Sequence, residues 1–242
     1  MKTVLITGAA HGIGRSIAEA FAAEHDNLHL ICHTAQDELE DYAERLSFKY
    51  HVQCTADAVD VSDPDAVEQY YNDRIHSLDL LINNAGISYI GLLQDMTPAE
   101  WNNVIATNLS SVFYMSKHAI PLFLKNSAGN PGAVINVTSV WGQIGASNEA
   151  AYSASKGGVD SLTKALAKEL SPNGIPVNAI SCGCIDTRMN NCFDELEKEE
   201  LAGEIPAGRF ASPDEVASAV LKLSQMPPYM TGQIIRFDGG WV

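Results

Sequence analysis

Basic residues are scarce in this chain: 15 Lys and Arg stand against 30 Asp and Glu in 242 residues, a formal net charge of −15. With a pI near 4.7, the composition argues against nucleic acid, which rewards clustered Lys and Arg, and disfavours strongly acidic partners. No run approaches the ~20 apolar residues that cross a bilayer. The stretch MKTVLITG enters what reads as a core strand and lacks signal-peptide anatomy, so a cytoplasmic protein is expected. Cysteine is sparse and odd in number: Cys32, Cys54, Cys182, Cys184 and Cys192. Without an export signal these read as reduced thiols, and Cys182-Gly-Cys184 lacks the second Cys or His pair of a zinc site, so no metal is expected. Internal repeats, low-complexity tracts and linkers are absent as well.

What is present is a regular alternation. Short β-branched or aliphatic runs, Thr3 to Thr7, Leu28 to Cys32, Val52 to Ala56, Leu78 to Ile82, Ala133 to Thr138, Pro176 to Ser181 and Gln233 to Phe237, read as strands. Between them lie helical patterns: Ile13 to Glu24, Gln36 to Tyr50, Asp63 to Ser77, Pro98 to Asn126, Glu149 to Leu170 and Pro213 to Ser224. Thr97-Pro98-Ala99-Glu100 and Ser212-Pro213-Asp214-Glu215 read as helix starts, with a cap residue before Pro and an acid at the third helical position. The pattern predicts one α/β domain over residues 1–242: a Rossmann-type, doubly wound parallel sheet of about seven strands with helices on both faces. Pro98 to Asn126 is long for one covering helix, and Asn108 marks a kink or break. The acidic segment around 189–205 falls after the sixth strand, where loops border the ligand crevice, and reads as a short helical lid.

Two stretches carry chemistry. Tyr152 and Lys156, in YSASK, lie four apart and share a helix face. An ammonium there is expected to draw the phenol pKa from about 10 towards neutrality, making it a usable proton donor. TGAAHGIG, from Thr7 to Gly14, follows an apolar strand and opens a helix. Gly8 allows the tight turn, Gly12 and Gly14 allow close approach of backbone, and the helix N-terminus attracts a pyrophosphate. At the end of the second strand, Cys32-His33-Thr34 has no carboxylate before Asp37, which removes the repulsion that excludes a 2′-phosphate. His11, Arg15, His33 and Thr34 are donors for one, so NADP is expected over NAD.

TGAAHGIG, Asp60-Val61, NNAG from Asn83 to Gly86, Asn108, Ser139 and YSASK occur in the order of the short-chain dehydrogenase/reductase family, which the whole chain resembles. IPAGRFASPDEVA and TGQIIRFDGG resemble its 3-oxoacyl-(acyl-carrier-protein) reductase branch. The resemblance implies a NAD(P)-dependent oxidoreductase. Tyr152 would be the general acid, Lys156 its partner and ribose ligand, Ser139 a donor to the carbonyl oxygen, and Asn108 the anchor of a water beside Lys156. Gly12, Ile13 and Gly14 would meet the pyrophosphate, Asp60 and Val61 the adenine, and Asn84, Ala85 and Gly86 the adenosine ribose. Taken singly, Ser139 could merely end a strand, Asn108 cap a helix, and Asp60 cap another, with Asp63 an equal candidate. Where the family has Pro-Gly this chain has Cys182-Gly183, so the loop carrying Ile185 and Thr187, expected against the nicotinamide carboxamide, is expected to be freer, and Cys182 is a possible oxidation site.

The implied substrate is a 3-oxoacyl thioester of fatty acid biosynthesis. The branch's arginines for an acidic carrier are missing, however. Asn126-Ser127-Ala128-Gly129-Asn130 and Ser171-Pro172-Asn173-Gly174 are neutral, and Lys117, Lys125 and Lys168 are the nearby cations. An acidic mouth suits the alternative, reduction of a 5-aminopentanone group on elongation factor P, known in relatives of this branch; another small ketone or alcohol is also possible. A non-catalytic dinucleotide-binding regulator would be expected to lose Tyr152, Lys156 or Ser139. The resemblance further implies a homotetramer pairing the two long helices.

Overall fold

Strands without polar alternation must be covered on both faces, and this one requirement generates the architecture. The computed structural model describes residues 1–126, 131–190 and 194–242. In chain order the elements are β1 (Thr3–Thr7), α1 (Gly12–Ala23), β2 (Asn27–Cys32), α2 (Gln36–Tyr50), β3 (Cys54–Ala58), α3 (Pro64–Arg74), β4 (Leu80–Asn83), α4 (Pro98–Ile105), α5 (Ser111–Phe123), β5 (Ala133–Ser139), α6 (Trp141–Ile144), α7 (Ala150–Leu170), β6 (Val177–Cys182), α8 (Glu195–Glu204), α9 (Pro213–Ser224) and β7 (Ile234–Phe237). All seven strands run parallel in the order β3-β2-β1-β4-β5-β6-β7. The expected α/β sheet is therefore present, with boundaries shifted by one to three residues at most elements. Cys192, residues 127–130 of the neutral stretch and residues 191–193 of the acidic segment lie outside the described residues.

Alternate residues of a strand point to opposite faces, so Val4 and Ile6 enter one core while Leu5 enters the other. On the first face α1, α2 and α9 pack Ile17, Phe21, Leu39 and Val216 against Leu28, Leu30 and Ile180. On the second, α3, α5 and α7 bring Val67, Met115, Phe123 and Ala167 onto Leu81, Val134 and Val177. The strand order reverses between β1 and β4, and the crevice above that point, at the carboxyl ends of the strands, is where such sheets bind ligands.

Both expected capping boxes form, Thr97 with Glu100 and Ser212 with Glu215. Asp63, not Asp60, caps α3: its carboxylate accepts the N–H groups of Asp65 and Ala66. Between α4 and α5 the chain remains helical but widens to a π-turn over Ala106–Ser110, with Asn108 wholly buried at its middle. The break expected at Asn108 is thus an extra residue in the turn, a device common at functional sites. No helix among the described residues is long and apolar enough to cross a membrane.

The tightest backbone packing lies in the turn from β1 to α1. Gly8 has φ +66°, and a Cβ on Gly14 would sit 2.2 Å from the Gly8 carbonyl oxygen and 2.5 Å from the Asn84 amide nitrogen. No rotamer relieves a clash with backbone. Gly14→Ala is therefore expected to cost on the order of 1–3 kcal/mol, as other forced overpacking does, read as a lower urea midpoint with an unchanged slope.

Candidate active site

The glycine turn is braced from beneath by the NNAG segment. Thr7 Oγ1 accepts the N–H groups of Asn84 and Ala85, each at 2.9 Å, and the Asn84 amide donates to the carbonyls of Thr7 (2.9 Å) and Gly8 (3.1 Å). Asn84 therefore spends its side chain on the turn. Above it, α1 begins at His11 with no side-chain cap and no acid in its first turn, so the first N–H groups face the crevice uncompensated. Gly12 adopts φ +51°, and a Cβ there would lie 3.3 Å from Thr187 Cγ2. Open donors, a cradle with room only for hydrogen and a threonine closing over it fit a dinucleotide diphosphate.

The cleft, about 410 Å³, is walled by Gly8, His11, Gly12, Ile13, Asn84, Ala85 and Gly86 on the turn side, and by Ser139, Tyr152, Lys156, Ile185 and Thr187 beyond. Of the residues expected from sequence, Gly14, Arg15, Asp60, Val61 and Asn108 are not in its wall. Asp60 instead closes a local turn, accepting Ser62 N–H (2.9 Å) and Oγ–H (2.7 Å), and reaches the cleft only through His33, whose Nε2 lies 3.8 Å from Asp60 Oδ2. Val61 is buried in the second core.

The register of β5 on β6 sets Ser139 beside Cys182 at the strand ends, and α7 lies across them. Lys156 is 4 % exposed and donates from Nζ to the Val137 carbonyl at 3.0 Å, with Nζ 5.7 Å from the Tyr152 ring centre. Burial pulls its pKa down to about 8, opposed by Cys182 and Asp160. The Tyr152 phenol moves the other way from expectation. Burial raises its pKa above the ordinary 10, Cys182 and Glu149 add to the rise, and the Ser139 hydroxyl opposes it. The ammonium is directed at a backbone carbonyl rather than at the phenol oxygen, so desolvation outweighs its field. Asn108 arrives here too, but its amide is engaged: Oδ1 accepts Ile87 N–H (2.8 Å) and Nδ2 donates to Ile87 O (2.8 Å) and Ser155 Oγ (3.1 Å). It braces the Gly86 backbone against Lys156.

Two expectations about the loop after β6 are overturned. Cys182 continues the strand ladder, Gly183 N–H bonds Phe237 O (3.0 Å), Asp186 N–H bonds Ala211 O (2.9 Å), and Ala211 N–H bonds Cys184 O (3.1 Å). Without Pro the loop is pinned, not freer. Burial pushes the Cys182 thiol up to about 12, which suppresses the reactive thiolate and argues against an oxidation site.

At the adenosine end the structure adds a carboxylate that strand-end spacing misses. Glu38, in the first turn of α2, accepts from His11 Nε2 at 2.8 Å and Arg15 Nη1 at 3.3 Å. Two of the four expected phosphate donors are thus already occupied, while Arg15 also lies 3.9 Å over the Tyr42 ring. The His11 bond is the main reason the Glu38 pKa is lowered.

Among the described residues, the substrate side is aromatic and carries one carboxylate. Trp141 and Trp241 meet at 4.9 Å between ring centres, and both line the cleft with Ile90 and Met189. Glu149, held by the Ser88 hydroxyl at 2.6 Å, lines it beside Tyr152. The acidic α8 contributes Leu201 alone to the wall, and its carboxylates are exposed. Trp141, two residues past Ser139, was within reach of sequence reading; Trp241, a hundred residues away, had no local signal.

A diphosphate cradle over the switch point of a parallel sheet, with a phenol, an ammonium and a hydroxyl at its far end, defines a nicotinamide-dependent oxidoreductase. The chain belongs to the short-chain dehydrogenase/reductase family: the family described as Enoyl-(Acyl carrier protein) reductase matches residues 8–242. Uncharacterized oxidoreductase YmfI of Bacillus subtilis (strain 168) is 40% identical over 241 residues, covering 99% of this chain and 98% of that protein. 3-oxoacyl-[acyl-carrier-protein] reductase FabG of Staphylococcus aureus (strain Mu50 / ATCC 700699) is 38% identical over 243 residues, with 99% and 97% covered. FabG of Aquifex aeolicus (strain VF5) is 34% identical over 244 residues, with 99% and 96% covered.

Because Glu38 holds His11 and Arg15, a ligand phosphate must displace it to gain those donors. Glu38→Gln is expected to tighten binding of 2′,5′-ADP several-fold and leave 5′-AMP unchanged, by calorimetry at fixed salt.

Proposed function

We propose that this chain is an NADPH-dependent reductase of a ketone carbonyl, with Tyr152 as the proton donor. The observation that carries the reading is the convergence of Ser139, Tyr152 and Lys156 at the ends of β5 and β6, opposite the diphosphate cradle. A nicotinamide held in this cleft would supply hydride for the carbonyl carbon. Tyr152 gives its proton to the carbonyl oxygen, and an alcohol leaves. Its raised pKa keeps the phenol protonated at cellular pH, and an alkoxide is far more basic than a phenolate, so the transfer runs towards product. Ser139 donates to the same oxygen as its charge grows. Lys156 is the neighbouring ammonium that stabilises the phenolate left behind, and Asn108 holds the Gly86–Ile87 backbone beside it. His33, Thr34 and Arg188 in the cleft wall support preference for NADP, and His11 and Arg15 add to it only where a ligand phosphate displaces Glu38.

For the substrate, the geometry best supports a ketone that bears an ammonium group, as in the 5-aminopentanone of a modified lysine. A carboxylate and two indoles in one cleft wall suit a primary ammonium by charge and by cation–π attraction. Among the described residues, the substrate-side wall carries no cation apart from Lys156: Arg188 lies towards Glu38, and Lys117, Lys125 and Lys168 are outside the wall. The second reading is a 3-oxoacyl thioester, favoured by relatives named 3-oxoacyl-[acyl-carrier-protein] reductase at 38% identity over 99% of the chain. On either reading α8 is a lid over the site through Leu201.

The test is NADPH oxidation with an amino ketone and with an acetoacetyl thioester, using Tyr152→Phe as the inactive control. On the leading reading, Glu149→Gln raises KM for the amino ketone about tenfold or more and leaves any thioester rate unchanged. A thioester rate with no amino-ketone turnover reverses the order of the two. Exposed Trp101, Phe113 and Leu124 along the α4–α5 rod support a homotetramer, for which light scattering is expected to give about four times the 26.0 kDa chain mass.

A further inference from the structure

Buried carboxylates in folded proteins are ordinarily hydrogen-bonded or paired. Asp160 breaks that rule. It lies on the sheet-facing side of α7, 5 % exposed, and neither carboxylate oxygen receives a hydrogen bond of acceptable geometry. It is the one carboxylate among the described residues with both oxygens buried and unpartnered. The polar neighbours on this face are arranged differently. Asn83 donates to Asn136 (2.9 Å), Asn136 to Thr163 (2.8 Å), and Thr163 to the Val159 carbonyl (2.8 Å). Burial raises the Asp160 pKa above the ordinary carboxylate value; the Thr138 hydroxyl, on β5, opposes the rise, yet it makes a long bond of its own to Ile180 O at 3.4 Å.

An unpaired buried carboxylate is costly unless a charge faces it. Helical spacing supplies two candidates on the same helix, Lys156 one turn before and Lys164 one turn after. Both lower the Asp160 pKa, Lys164 more than Lys156, although Lys164 is exposed to solvent, where its field is screened. Lys156 is buried, and its one hydrogen bond is to a neutral carbonyl. The other groups around Lys156 are Tyr152 on α7, Cys182 on β6 and Asn108 in the π-turn, and the Cys182 thiol is protonated at cellular pH. No carboxylate other than Asp160 acts on Lys156 from these elements.

We propose that Asp160 is a positioning residue for catalysis, the fixed counter-charge that keeps the Lys156 side chain an ammonium behind the proton-donating phenol. The inference rests on the reading of Lys156 given above. Its substrate is indifferent, because Asp160 acts on the machinery and not on the ketone. An unsolvated charge at this position fits the trade of stability for function expected at active sites.

The sign follows from the Lys156 pKa of about 8. The ammonium is present below that value and lost above it, so kcat/KM should fall as pH rises through about 8. Without the Asp160 charge, the same alkaline limb should move down by about one pH unit. The experiment is the pH profile of kcat/KM for wild type, Asp160→Asn, Asp160→Glu and Lys164→Gln, with thermal melts of each. The expected result is a lowered limb for Asp160→Asn with an equal or higher Tm, restoration towards wild type in Asp160→Glu, and no change in Lys164→Gln. If the Asn variant does not accumulate folded, Asp160→Ala gives the same reading. An Asp160→Asn limb that coincides with wild type overturns the proposal. A wild-type profile flat through pH 9, or turnover by Lys156→Met, instead sinks the role given to Lys156.

Discussion

A buried ammonium organises this molecule. Lys156 sits beneath the carboxyl ends of β5 and β6, bound to a backbone carbonyl of β5 and reached by almost no solvent. A cation in such a place is tolerated only where the surroundings are arranged for it. The arrangement spreads outwards through α7, whose sheet-facing side carries Ser155, Lys156, Asp160 and Thr163 where an ordinary covering helix would carry aliphatics. It continues through Asn108, which ties the π-turn both to Ser155 of α7 and to Ile87 beyond β4. Strand order, helix docking and the loop after β4 thus meet at one charge.

The two ends of the cleft are built by opposite means. At the cofactor end backbone dominates: glycine turns, strand-end amides and the uncapped start of α1 accept a ligand through groups that every chain possesses, so identity there is set by what is missing, the Cβ atoms. At the substrate end side chains dominate, and they are few: two indoles, an isoleucine, a methionine and one carboxylate. The first arrangement suits a cofactor shared by many enzymes. The second suits discrimination, because a single buried or half-buried charge rejects partners of the same sign more strongly than apolar walls select among shapes.

Much of this was legible in the residues. The aliphatic runs located all seven strands, because a strand buried on both faces has little freedom in composition. Thr97, Ser212 and Asp63 marked helix starts because capping is local chemistry. Gly12, Tyr152 and Lys156 were legible because their spacing follows from one turn or one helix face, and Ser139 because it resembles the family's motif order. What was less legible shares a different cause. Asp60 and Val61 were placed by order along the chain, and their position outside the cleft wall depends on how the β3–α3 turn folds back on itself. Glu38 and Trp241 approach the site from elements whose relation to it is tertiary. The direction of the Tyr152 shift depended on where the lysine nitrogen points and how dry the ring is, and neither is a property of spacing.

The π-turn has a consequence for how this chain can vary. Five residues occupy Ala106–Ser110 where a regular helix would use about four, so the halves before and after it are out of phase by roughly a hundred degrees. Losing one residue there would restore an unbroken rod and swing Asn108 away from Ile87 while leaving every apolar contact available to one half or the other. The surplus residue therefore behaves as a phase-setting spacer, and the length of this rod is constrained to the single residue even though its surface composition is not.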